Sequence, residues 1–265
     1  MQKLKLTVLN DNTAGRWCRA EHGLSFLIEA DQTVLFDTSS SSDMIVYNAQ
    51  ILNIDLQRID TIVLSHGHDD HTGGLMLFEG QKLICYPDTF LKRYRKSNKT
   101  ELGIKWTEDE IRSRFNLVLS REPIKLSEQI FSLGEIPRMT DFESKNTAFQ
   151  KADGTDDFVM DDSGLAIVTS KGLVVISGCA HSGICNMVLQ ATKVTGIEKI
   201  YAVIGGFHLQ NDDAVTQKTI DWMKSMQVEQ LIPSHCTSFS AQALISKSFR
   251  FLPVKSGNII EIGGN

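Results

Sequence analysis

Short apolar-rich runs at Lys5 to Leu9, Leu24 to Glu29 and Thr33 to Phe36 predict three strands, the first with clear polar–apolar alternation. Glu21-His22-Gly23 and Ala30-Asp31-Gln32 read as the turns between them. Asp43 is a candidate cap for a helix running to about Leu52. Ile59 to Leu64 is continuously apolar, as expected of a strand covered on both faces. That strand ends in Ser65-His66-Gly67-His68-Asp69-Asp70-His71, at the C-terminal strand edge where open α/β sheets hold ligands.

The texture changes between residues 85 and 157. Residues 91–99 form a basic cluster, Thr107 to Phe115 has helical spacing, and residues 116–119 and 130–133 read as strands. The reading is one inserted α+β subdomain or lid (85–157) within a principal α/β domain made of residues 1–84 and 158–265. The basic cluster is either a solvated face or an electrostatic guide for an anionic ligand. Beyond it, Leu165 to Thr169 and Leu173 to Ser177 predict a hairpin, Ile184 to Val194 a helix, and Ile200 to Ile204 a strand. An amphipathic helix from Asp213 to Met226 and a strand from Gln230 to Ile232 follow. Three of these strands end close to a histidine: His181, His208 and His235.

With 42 % hydrophobic and 22 % charged residues, the 265-residue chain can bury a sizeable core. The net charge of −5 argues against a nucleic-acid scaffold but leaves room for a small anionic substrate, since bound metal would add local positive charge. Five scattered cysteines without a CxxC pair indicate neither a disulfide framework nor a zinc ribbon. The first residues lack the apolar core of a signal peptide, and no run approaches the roughly 20 apolar residues of a membrane span. A cytoplasmic protein with no membrane or nucleic-acid partner is expected, and its oligomeric state stays open.

Histidine and carboxylate donors packed this densely have one economical explanation. His66 and His68 alternate, so in extended backbone they face one side, and Asp70 and His71 follow a bend at Gly67. Neutral imidazoles and carboxylates suit zinc, with iron or manganese as alternatives. Four candidate ligands fill less than two sites, so further donors must come from elsewhere. Six of the seven histidines lie in this motif or at the three later strand ends. A lone histidine is more often a hydrogen-bonded structural group, a reading that suits His22 in its turn, although His22 could also line the pocket. His208 stands between the two roles, and Cys179 is either a soft ligand or a small buried residue.

The segment His66 to His71 resembles the HxHxDH signature of the metallo-β-lactamase superfamily. Glu21 to Ser25, Ser65 to Leu75, Ser177 to Ile184 with Asn186, Gly205 to Leu209 and Ser234 to Thr237 resemble, more narrowly, its dihydropterin-ribofuranosylaminobenzene-phosphate synthase-like subfamily. The resemblance implies a four-layer αββα sandwich, two divalent metal ions and an insertion of ferredoxin-like shape. It places His66 and His68 on the first metal, and Asp70, His71 and His235 on the second. Cys179 stands where the superfamily usually has a bridging aspartate, and His181 is the candidate for a histidine otherwise missing. Asp37, in Asp37-Thr38-Ser39 where relatives have Asp-Thr-Gly, is expected to orient a ligating histidine.

The leading expectation is a metal-dependent hydrolase acting on a phosphorylated or otherwise anionic small molecule. Asp70 would act as proton acceptor, and His208 or His22 as proton donor. The resemblance supplies the alternative of a pterin-related condensing transferase, with Phe207 against the pterin. A non-enzymatic metal or redox sensor is the third reading. A classical β-lactamase and a tRNA-processing nuclease are disfavoured by the altered ligand pattern and the acidic balance.

Overall fold

Alternation in the first strand sends Leu4, Leu6 and Val8 to one face and Leu9 to the other, so the strand must be covered on both sides. The computed structural model of the chain describes residues 3–263 and shows what covers it. In chain order the first half contains β1 (Leu4–Asn10), β2 (Ser25–Glu29), β3 (Thr33–Phe36), α1 (Ser42–Ile51), β4 (Thr61–Val63), the single-turn α2 (Asp69–Thr72) and β5 (Lys82–Cys85). Next come β6 (Arg93–Arg95), α3 (Glu108–Arg114), β7 (Asn116–Leu119), β8 (Ile124–Lys125), β9 (Ile130–Ser132), β10 (Phe149–Lys151) and β11 (Asp156–Asp157). The second half holds β12 (Gly164–Thr169), β13 (Gly172–Ser177), α4 (Ile184–Thr195), β14 (Ile200–Gly206), α5 (Ala214–Ser225), β15 (Gln230–Ser234), α6 (Phe239–Ser246) and β16 (Ile259–Ile262).

Two sheets pack face to face. One has the order β16-β1-β2-β3-β4-β5-β7, the other β15-β14-β13-β12-β9-β8. Leu6, Phe26, Val34 and Phe36 of the first meet Leu165, Ile167, Val174 and Ile204 of the second in one buried cluster. The outer face of the first sheet carries Leu27, Leu35 and Ile62 against Ile45 and Ala49 of α1 and Ile111 of α3. The outer face of the second carries Val175 and Val203 against Met187, Ile220 and Ile245 of α4, α5 and α6. This is the four-layer αββα sandwich, and period-two strands meeting helical stripes on both outsides are its physical basis.

The segment 85–157 departs from the sequence reading. It is not one body: β7 extends the first sheet parallel to β5 with α3 packed on that sheet's outer face, while β8 and β9 extend the second. Only β6, β10 and β11 stand apart, as a three-stranded sheet over the site, so no ferredoxin-like unit forms among the described residues. The strands in the middle of the segment are claimed by the large sheets, whose edges would otherwise stay unpaired. The basic cluster is divided too: Arg93 is buried, Lys96 pairs with Asp156 at 2.6 Å, and Arg95 faces the cavity. No helix among the described residues is long and apolar enough to cross a membrane.

Candidate metal centre

The parallel strands β3, β4, β13, β14 and β15 all release their chains at the same edge, and their following loops form the site. The loop after β4 is tightly held. A Cβ on Gly67 would lie 2.0 Å from the Thr89 carbonyl oxygen, so only glycine fits between the two histidines. The Gly67 amide donates to Asp161 Oδ2 at 2.8 Å, and Asp161 Oδ1 accepts from Arg93 Nη1 at 2.8 Å. The adjacent Asp162 accepts from the Ser182 amide at 3.0 Å and from its hydroxyl. Two consecutive carboxylates thus fasten the His66–His68 loop and the His181 loop to one point.

Hydrogen bonds on one nitrogen of each ring settle where the other lone pair points. Asp37 Oδ2 accepts from Ser65 Oγ at 2.7 Å and from His71 Nδ1 at 2.7 Å. With its proton given to Asp37, the Ser65 hydroxyl accepts from His66 Nδ1 at 2.8 Å. Asn12 Nδ2 donates to the His235 carbonyl at 3.1 Å, which orients the amide so that Oδ1, 3.0 Å from His235 Nδ1, accepts there. His66 and His235 therefore present bare Nε2 lone pairs, and His71 presents one once its Nε2 gives up its proton. Yet His71 Nε2 lies 3.1 Å from His235 Nε2, and His66 Nε2 lies 3.0 Å from His68 Nδ1. Each such pair needs a positive centre at its nitrogens, a shared proton in the metal-free chain or a bound metal ion.

Orphaned atoms say the same. His68 Nε2 and His181 Nε2 are buried with no hydrogen-bond partner, an uncommon cost unless something else binds at the site. Among the described residues, four donor groups have their ligand atoms within 4.8 Å of one another: His66, His68, His181; His66, His71, Cys179; His22, Asp70, His235; and Cys179, His235, Cys236. Asp70 Oδ2 sits 3.2 Å from His22 Nε2, 3.3 Å from His235 Nε2 and 3.6 Å from His71 Nε2. The residues fit divalent metal, and the chemistry of nitrogen, carboxylate and thiol donors suits transition ions.

Electrostatics prepare the donors. Burial, reinforced by neighbouring imidazoles, holds His66 and His181 well below the usual histidine range, and His68 is likewise low through burial and Arg93. Burial also takes His235 down to about 4, against the pull of Asp70. His71 goes the other way. Burial alone would depress it, but Asp70 and Asp37 outweigh that and raise it to about 9.

The histidines form the floor of a 620 Å³ cavity, which His22, Asp70, Cys179, His181, His208 and His235 all line. The sequence expectations meet this geometry unevenly. His181 lies in one donor group with His66 and His68. His22 is drawn to Asp70 and His235 rather than left as a turn residue, its ring stacked 5.3 Å from His235. His208 lies with its ring 4.4 Å from His181 but belongs to none of the donor groups. Phe207 is buried in the core near α4, α5 and α6 and lines a smaller cavity with His181 and His208, not the one that holds Asp70. The aromatic wall is Phe149 of β10, with its ring 4.8 Å from His68.

Sequence reasoning also missed Asn12, Ser65, Arg93, Asp161, Asp162 and Cys236. Asn10-Asp11-Asn12 at a strand end and Asp161-Asp162 before a strand were visible signals, yet paired polar residues at such places usually mark turns.

Comparisons with known proteins show the family to which the chain belongs. The family model described as the metallo-beta-lactamase superfamily matches residues 19–83, the stretch that carries the histidine motif. The 7,8-dihydropterin-6-methyl-4-(beta-D-ribofuranosyl)-aminobenzene-5'-phosphate synthase of Methanocaldococcus jannaschii is 37 % identical, over 98 % of this chain and 97 % of its own. An uncharacterised protein of the same organism is 35 % identical over 97 % of this chain and 100 % of its own. The crystal structure of Tm1679, described as a metal-dependent hydrolase of the beta-lactamase superfamily, superposes with a TM-score of 0.87 at 28 % identity, covering 98 % of this chain and 100 % of that one. With a 37 % identical relative matched over 98 % of this chain and 97 % of the relative, the chain belongs to the metallo-β-lactamase superfamily, in the dihydropterin-ribofuranosylaminobenzene-phosphate synthase-like subfamily.

Proposed function

We propose that this chain is a metal-dependent group-transfer enzyme that joins a reduced pterin to a phosphorylated aryl amine. The observation that carries this reading is the wall facing the histidines. Arg95 lies with its guanidinium carbon 5.9 Å from the centre of the Phe149 ring, and both line the cavity that holds Asp70 and His208. A flat face beside a cation suits a substrate with both a planar ring and an anionic group. The 620 Å³ volume is in the range of small-molecule sites. The 37 % identical relative, whose product carries a dihydropterin and a phosphate, supports the same class.

Two ions, zinc in first place, would be held by His66, His68 and His181 on one side and by Asp70, His71 and His235 on the other. Bound metal supplies Lewis acidity for charge that develops on a reacting or departing oxygen. Asp70, which lines the cavity, would accept a proton, and His208, set beside His181 outside the donor groups, would donate one. Hydrolysis of an anionic small molecule is the second reading, favoured by the likeness to Tm1679.

Titration of the zinc-loaded protein with 7,8-dihydropterin, followed calorimetrically, tests the proposal. Saturable binding is expected, with Arg95→Ala weakening only phosphorylated ligands. Turnover of chromogenic phosphoesters without any affinity for reduced pterins would move the assignment to hydrolysis.

A further inference from the structure

Side chains of successive residues in an extended strand point to opposite faces, so His235 and Cys236 would diverge if β15 continued straight. They do not. His235 has φ +48°, a left-handed conformation that a side-chain-bearing residue adopts only where its surroundings impose it. The turn brings Cys236 back over the end of β14. There Gly206 makes the space, since a Cβ on it would lie 2.6 Å from Cys236 Sγ and 2.3 Å from the Gly178 carbonyl oxygen. Cys179 arrives from β13 and is followed by Ala180, also left-handed at φ +54°. The two thiols and a ring nitrogen of His235 thus lie within 4.8 Å of one another, and Cys236 Sγ is 3.4 Å from the Cys179 carbonyl oxygen. Both cysteines line the main cavity, Cys179 buried and Cys236 half-buried.

We propose that Cys236, with Cys179 and His235, forms a thiolate-bearing metal position on the cavity floor, selective for zinc-like borderline or soft ions over manganese. Two thiol protons pass to solvent as two metal–sulfur bonds form. Soft sulfur donors favour zinc, cobalt and cadmium, whereas a carboxylate-and-imidazole position also accommodates manganese. His235 is shared with the group formed by His22 and Asp70, so an ion there has two alternative donor sets, one hard and one soft. The strained turn at His235 is the device that keeps the soft set available.

Cobalt(II) titration of the metal-free protein tests this by absorbance, with no substrate present, so the result is independent of the pterin reading. A sulfur-to-cobalt charge-transfer band is expected in the near ultraviolet. Cys236→Ser should reduce its intensity to about half, and the Cys179→Ser/Cys236→Ser pair should abolish it. Manganese(II) affinity should be unchanged by Cys236→Ser. Should the double variant fold poorly, the single variant suffices, because half-buried Cys236 tolerates serine. No charge-transfer band at cobalt saturation, or a band of undiminished intensity in Cys236→Ser, would overturn the proposal.

Discussion

Replacing Asp161 by alanine removes the acceptor for two buried donors at once, and its cost can be worked from the structure. Arg93 is only 1 % exposed, and its charge is held by Asp161 at 2.8 Å and, less closely, by Asp157 at 3.5 Å. Burial pushes the Asp161 carboxyl up while Arg93 pulls it down, and the same carboxylates hold Arg93 up despite its burial. The two shifts disagree about whether the pair gains overall. The rise at Asp161 means that desolvation outweighs the attraction of Arg93 there, as a buried ion pair often does. Loss of one partner is a different matter, because it strands the other charge. That costs about 3–5 kcal/mol, with Asp157 keeping the value near the lower end. The stranded Gly67 amide adds about 1 kcal/mol or more. Urea unfolding of metal-free Asp161→Ala should therefore show a loss of about 4 kcal/mol or more. Chelator competition should show weaker metal binding, because the loop between His66 and His68 is released. A loss under about 1 kcal/mol, with metal affinity unchanged, would refute the idea that Asp161 fastens that loop.

Gly67→Ala should fail to load metal even where it folds, since its Cβ has no room beside Thr89; metal analysis after refolding with excess zinc checks this. Asn12→Leu removes the acceptor that fixes the His235 ring, and metal affinity should fall about 10–100-fold, measured by competition with a chromogenic chelator. His71, raised to about 9 in the metal-free chain, is protonated at pH 7 and must lose that proton to ligate. Zinc binding at pH 7 should thus release a proton that His71→Gln does not, and this difference should disappear as the pH passes about 9. Calorimetry in buffers of different ionisation enthalpy reads it, and equal proton release by both proteins at pH 7 would contradict it.

Local signals in the chain were sufficient for much of the fold. Leu4 to Asn10, Ser25 to Glu29 and Thr33 to Phe36 form strands where alternation and turn residues placed them, because each buries one face against a helix and the other against a sheet. The helix from Ile184 and the strand from Ile200 follow the same logic. Within residues 85–157 the helix α3 and the strands β7 and β9 form where their spacing placed them, but β8 is too short to show a period, and which sheet each strand joins is decided by pairing with β5, β9 and β12. The three-stranded sheet formed by β6, β10 and β11 was equally hidden, although it brings Arg95 and Phe149 to the cavity.

What the sequence determined by itself is the donor chemistry: a dense run of imidazoles and carboxylates after one strand, and single histidines after three others, each set by residue type and short-range spacing. Tertiary structure decided everything that depends on direction. Which ring nitrogen is free follows from Asp37, Ser65 and Asn12, residues 28, 1 and 223 positions from Ser65, His66 and His235 respectively. Whether Cys236 and His22 face the metal edge follows from a left-handed turn and a stacked ring. Lone pairs are oriented by hydrogen bonds between distant strands, and a pattern of residue types carries no record of that orientation.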